Sequence, residues 1–447
     1  MMELEKGKKL IKKIKEKIKP DYDFEVILSE ERFELTRFAE SYIHQNVAES
    51  NLNLTLKAIL GNRIGAVQMN SMDDAIISKN LQKAVNIANI TPPLDFPYRL
   101  VPPQNYTIKG KYSEDTINFS SLDRAQLIRQ IIREMNQVGY DAAGAFSSEQ
   151  ITLIVANSKG LFAFDKGTKL DFNCVITRGN STAHVSFIDW DVNNFKVNKI
   201  IDKLLETALR NREQVEIEPG VYTAILSPEA TSNILNYTGE VAFNGKSIME
   251  GKSFVCANKN KKIFPEILTV ADNPLDELTM PIPFDSVGYP REKVYLIEKG
   301  RVKDGVYDYI TALRYNHRCT GNTLAGEDAS YGALPFNLVM EGGEVNLEEM
   351  ISRTKKGIFI SRLHYVNVLN PMSIQLTGMT RDGTFLVENG KIGKAIKNMR
   401  FNTSIIDMFK AVDLISKERQ VKAGWVGPTV APYLRTNYFA FSSKTSF

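Results

Sequence analysis

The hydrophobic positions at the start of the chain recur at helical spacing, and after them the pattern turns to strands. Within residues 6–20, Leu10, Ile11, Ile14 and Ile18 stand between lysines, which predicts a packing helix with a solvated basic face, stopped by Pro20. From 23 to 68 the apolar residues alternate in short runs. Leu52, Leu54 and Leu56 share one face of a strand that ends in a turn at Gly61 and Asn62. Residues 71–90 predict a helix capped by Ser71 with Ile76, Leu81 and Val85 inward. The five prolines between 91 and 106 force an extended connection. Next comes an amphipathic helix capped by Asp123 and lined by Leu127, Ile131, Ile132 and Met135. Residues 143–191 read as an antiparallel meander with turn signals at 157–160 and Gly167, and a further helix turns Ile200, Leu204, Leu205 and Ala208 inward.

After about Glu216 short apolar strands separated by Gly, Asn and Asp dominate, with few helical stretches. The expected architecture is α+β: a layered sheet-and-helix domain over 1–215, then a mainly β domain over 216–447. Asn389 and Gly390 mark a hairpin turn. The clearest helix start in this half follows the strand-like "PGVYTAI". Ser227 is the N-cap, Pro228 the first helical residue, Glu229 sits at the positive end of the dipole, and Ile234 and Leu235 supply an apolar face.

Composition narrows the classes. Hydrophobic residues make up 43% and charged residues 24%, ordinary for a soluble globular chain. The net charge of +4 comes from 56 basic and 52 acidic residues, which gives no general case for nucleic-acid binding. The one basic run, residues 6–19, lacks the interleaved aromatics that stack on bases. No apolar run approaches membrane-spanning length. Cys174, Cys256 and Cys319 form no CxxC pair, which fits a reducing compartment. The expectation is a soluble cytoplasmic protein without nucleic-acid or membrane partners.

Candidate chemistry is sparse. The four histidines are His44, His184, His317 and His364, and none belongs to an HExxH motif. No nucleophile elbow, Walker loop or dinucleotide fingerprint occurs. In "YNHRCTGN", His317 and Cys319 would share one face of a strand and pair as base and thiol, or as two metal ligands. The competing reading of this pair is structural. His44, polar among strand residues, reads as a satisfied structural histidine, with a place facing a cleft as the competing reading. Glu229 is a candidate general base that needs an adjacent metal or nucleophile.

Several segments in order resemble the TldD/PmbA family, once described as modulators of DNA gyrase and now treated as metalloprotease-related. They are "LTRFAESYIHQN", "FDSVGYPREKVYLIEKGRVKDGVYDYITA", "CTGNT" and "GIFISRLHYVNVLNPMSIQLTGMTRDGTFLVENGKI". In TldD-type members a helix at the position of 228–233 begins with HExxxH, and a cysteine near the C-terminus completes a zinc site. On that register Pro228 replaces the first histidine, Glu229 keeps the glutamate and Asn233 replaces the second histidine. No cysteine follows Cys319. The resemblance therefore implies the PmbA (TldE) branch. That branch would be a non-catalytic subunit holding no cofactor of its own, and it pairs with a zinc-bearing TldD-like paralog around unfolded peptide. The alternatives it leaves are an independent hydrolase built on Cys319 and His317, and a homodimer that binds peptide without cleaving it.

Overall fold

Residues 1–18 and 21–445 are described by a computed structural model. Six strands, β1 (Asp23–Ala39), β2 (Tyr42–Leu60), β3 (Arg63–Met69), β4 (Asp141–Asn157), β5 (Phe162–Arg178) and β6 (Ser181–Asp189), form one antiparallel sheet in the order β3-β2-β1-β4-β5-β6. Five helices accompany it: α1 (Leu4–Glu16), α2 (Asp74–Ile90), α3 (Glu114–Ile117), α4 (Ser121–Gln137) and α5 (Val197–Arg210). Side chains alternate across a strand, so each strand carries two independent surfaces. On one surface, Val26, Leu28, Leu54 and Leu56 pack under Leu10 and Ile14 of α1 and Ile77 and Leu81 of α2. Farther along, Phe38, Phe146 and Phe172 pack under Ile128, Ile131 and Met135 of α4 and Leu204 of α5. Each such aliphatic side chain contributes about 1.5–3 kcal/mol by leaving water.

The opposite surface looks at the rest of the chain. Ile27, Leu153, Val155 and Ala163 bury against Phe284, Val287 and Tyr309. The same surface carries Glu31, Glu149, Lys169 and Asp171, and Ser186 and His184 on β6, which the ladder sets opposite Asn173 and Val175.

The second sheet holds β7 (Gln214–Val215), β8 (Gly220–Leu226), β9 (Val270–Asp272), β10 (Val294–Glu298), β11 (Arg301–Val302), β12 (Leu338–Met340), β13 (Lys356–Asn370), β14 (Gln375–Glu388), β15 (Lys391–Ile396), β16 (Met399–Ser404), β17 (Val412–Lys422) and β18 (Thr429–Lys444). The pairings β18-β8-β13-β14, with β16 joining β14 back to β18, close a ring of strands. Closure removes free edges, the usual hazard of a large sheet. The long helix of this half, α6 (Pro228–Phe243), turns Ile234, Leu235, Ala242 and Phe243 into the core that the ring shares. The other described helices of this half run six residues or fewer. Fold class is α+β, as the pattern predicts.

Several details differ from the sequence reading. The runs between 23 and 60 are two continuous strands of 17 and 19 residues. Ser120, not Asp123, caps α4. Its hydroxyl accepts the amide of Asp123, and the Asp123 carboxylate answers to the Ser120 amide, a closed capping box. Asp73, not Ser71, caps α2, because one carboxylate oxygen takes the amides of both Ala75 and Ile76. That places Ile77 inward and leaves Ile76 41% exposed, with Leu81 buried and Val85 half-buried. Gly167 is no turn: it lies within β5 opposite Ile151. The stop expected at Pro20 lies outside the described residues. The turn at Asn389 and Gly390 joins β14 to β15 with positive φ at both residues (50° and 75°), the type I′ geometry that favours this pair.

Candidate functional site

The site is built where β8 runs into α6. The Ser227 amide donates to the Ile360 carbonyl, which docks the strand end beside β13. The Ser227 hydroxyl accepts the Ala230 amide (3.3 Å) and donates to the Ser361 carbonyl (2.5 Å). One side chain thus caps the helix and pins its first turn. Pro228 follows at a position where the missing amide costs nothing. Glu229 then points across to β6 of the first sheet.

There its carboxylate oxygen accepts the Ser186 hydroxyl (2.5 Å) and lies 3.3 Å from the Lys422 ammonium, at the end of β17. Lys422 also donates to the Ser186 carbonyl (3.2 Å) and hydroxyl (3.3 Å). Burial pushes the Glu229 carboxyl up. Lys422, nearby His184 and the Ser186 hydroxyl outweigh it and hold the carboxyl below its ordinary range. His184 is lowered as well, but here burial is the first cause: burial, then the Arg362 guanidinium, drive it down to about 4. Arg362 is itself tied to Asp382 at 2.7 Å, and the other Asp382 carboxylate oxygen is buried without a hydrogen bond, 4.0 Å from the Arg381 guanidinium. Four elements of the second half, α6, β13, β14 and β17, and one strand of the first therefore meet in a single knot of charge.

One turn after Glu229, Asn233 borders a polar cavity of about 380 Å³ together with Tyr237, Arg362, His364 and Asn367. The Asn233 side-chain oxygen is buried there with no partner. The Tyr237 hydroxyl donates to the Val366 carbonyl (2.5 Å), and its ring meets Trp425 edge-on at 4.6 Å. His364 lines this cavity, its imidazole pKa lowered from the ordinary range by burial and then by Arg381.

The pairing of His317 with Cys319 is not built. That segment is not a strand, and Asn316 before it has φ 50°. Cys319 is buried; its thiol donates to the Tyr307 carbonyl at 3.5 Å, and burial pushes it far above the range of a reactive thiol. The His317 ring stacks on Tyr307 at 3.8 Å, with one nitrogen 3.6 Å from Asp304 and the other 3.1 Å from the Arg318 carbonyl. Each residue is occupied elsewhere. His44 is exposed on β2, edge-on to Tyr42, in the stretch 42–53 that β3 does not reach.

The zinc that family resemblance would place at 228–233 does not fit these residues. Proline offers no side-chain donor and an asparagine amide is a poor zinc ligand. The retained glutamate already has an ammonium against it. Among the described residues no group of three or more His, Cys, Asp or Glu is placed to hold a metal. Sequence reasoning reached Glu229, Pro228 and Asn233. It missed Lys422, Ser186 and the Arg362 to Asp382 pair, which no local motif announces, and it noted His184 without linking it to Glu229.

Comparison with known proteins agrees with the fold. Residues 219–443 match the PmbA/TldA metallopeptidase C-terminal domain. A metalloprotease of Methanocaldococcus jannaschii is 22% identical over 408 residues, spanning 84% of this chain and 85% of that one. A metalloprotease PmbA homolog of Buchnera aphidicola is 21% identical over 322 residues, 68% of this chain and 66% of that one. TldE from Thermococcus kodakarensis superposes with a TM-score of 0.86 at 20% identity, over 98% of this chain and 100% of that chain. With its C-terminal half matched as a sequence and its whole fold shared with TldE, the chain belongs to the TldD/PmbA metallopeptidase family.

Proposed function

We propose that this chain is the non-catalytic, peptide-binding subunit of a heteromeric zinc protease, whose metal is carried by a TldD-like partner. The observation that supports it most is the Lys422 ammonium on the Glu229 carboxylate: a carboxylate tied to a fixed cation and held below its ordinary range is a weak general base, and Pro228 and Asn233 beside it do not fit a zinc. Its remaining task is binding, and main-chain pairing gives affinity for unfolded peptide with little demand on sequence.

The test is made on two purified chains, this one and a TldD-like paralog. Plasma mass spectrometry of this chain alone is expected to give well under one zinc per chain. Mixing is expected to give a complex by light scattering that cleaves unfolded peptide faster than the paralog does. Glu229→Gln in this chain should leave that rate unchanged, whereas loss of an acting general base lowers a rate roughly 100-fold or more. No complex and no change in cleavage would sink the subunit reading. Cleavage by this chain alone that disappears in Cys319→Ser would replace it with the independent hydrolase.

A further inference from the structure

A second cavity, of about 370 Å³, lies on the far side of the Tyr237 and Trp425 pair, between the first sheet and two loops of the second half. Its sheet wall comes from Ile151 and Leu153 on β4, Asp165 and Gly167 on β5, and Ile188 on β6. Its loop wall comes from residues 280–283 and 423–428, with Trp425 51% exposed. The lining is mainly apolar, but six charged side chains border it, and five of these have a neighbour of opposite charge, a carbonyl or an aromatic ring against them. Lys169 pairs with Glu149 at 2.8 Å and screens Asp171. Lys111 donates to the Glu277 carbonyl at 2.7 Å, and the Lys166 ammonium sits 3.9 Å from the Tyr112 ring centre.

Asp165 is the exception. It accepts the Gly110 amide at 2.9 Å, and among the described residues no cation pairs with it. Burial, opposed only by the backbone amides of Gly110 and Lys166, raises its carboxyl to about 6. A partly desolvated carboxylate without a counter-charge gains from any cation that arrives with its own apolar cover. Lysine and arginine side chains have that form, an aliphatic stem under a cationic head, and an indole at the entrance adds a favourable face for the cation.

We infer that this cavity is a subsite for a lysine or arginine side chain of a bound extended peptide, with the stem against Ile151, Leu153 and Trp425 and the head on Asp165. The assignment rests on the peptide-binding reading above and adds to it a preference by side chain. Asp165 would be a specificity residue, remote from Glu229 and from any bond cleavage.

The test uses fluorescein-labelled, N-acetylated unstructured peptides that differ at one position, arginine, citrulline or norleucine, with binding to the full chain followed by anisotropy. The arginine peptide is expected to bind roughly tenfold tighter than its neutral isostere citrulline. Asp165→Asn should erase that difference and leave the norleucine peptide's affinity unchanged, which also reports that the variant is folded. Trp425→Ala should weaken the arginine and norleucine peptides alike. Equal binding of all three peptides, or a preference that survives Asp165→Asn, overturns the subsite while leaving peptide binding intact. Binding of none of them overturns both. A preference that follows a free N-terminal amine, in an unacetylated peptide without arginine, would assign the cavity to chain ends and overturn the side-chain reading.

Discussion

Lys422 decides how Glu229 can behave. A half-buried carboxylate needs a counter-charge, and breaking such a pair from one side costs more than the pair contributes, because the remaining charge is stranded. Lys422→Met should therefore lower unfolding free energy by about 2–3 kcal/mol, read as a lower urea midpoint. Adding Glu229→Gln should restore most of that loss, since a neutral amide still meets Ser186. An unchanged midpoint in Lys422→Met would show that the pair is screened by solvent. Glu229 was legible in the sequence as the acidic residue of the first helical turn, and Asn233 only through the register of the family resemblance. Their partners were not, because contacts with Ser186 and Lys422 are made by tertiary folding between elements distant along the chain.

At the level of elements, punctuation was easier to read than extent. Ser227, Pro228 and the Asn389 and Gly390 turn each act on backbone groups close in sequence, so local chemistry identifies them. Strand length was underestimated because the sheet surface facing the second half carries Glu31, Glu149, Lys169 and Asp171. These residues look like solvent positions and break the apolar alternation. The cap of α2 was misplaced by two residues, since Ser71 and Asp73 both suit the role and only geometry chooses the residue that reaches two amides. Ser227 does more than an ordinary cap, because it also holds the Ser361 carbonyl of β13. Ser227→Ala should cost about 1–2 kcal/mol, at the upper end for a lost cap, in chemical denaturation. A loss within a few tenths of a kcal/mol would mean that water replaces the hydroxyl.

For the molecule as a whole, the knot around His184 makes the joint between its two halves sensitive to acid. The groups facing His184 are Arg362, Glu229, Asp382 and Lys422. Its folded pKa of about 4 lies below the unfolded value of about 6.5, so between those limits the unfolded chain binds more protons. Stability is then complete above about pH 6.5 and falls as pH drops toward 4. Glu229, held below its ordinary range, contributes a further loss only at the acid end. Thermal unfolding from pH 8 to pH 4 should show this decline, and His184→Gln should flatten it by on the order of 1–3 kcal/mol. Equal slopes in the two chains would place the acid sensitivity elsewhere.

The ammonium of Lys422 is also a matter of supply. A bound ion must be acquired from the cell, can be stripped by a chelator and can be exchanged for a competing metal. A cation carried on a side chain is made with the polypeptide in a fixed one-to-one ratio. The Lys422 contact across the joint between the two halves is therefore supplied by translation itself, one cation for each glutamate it meets.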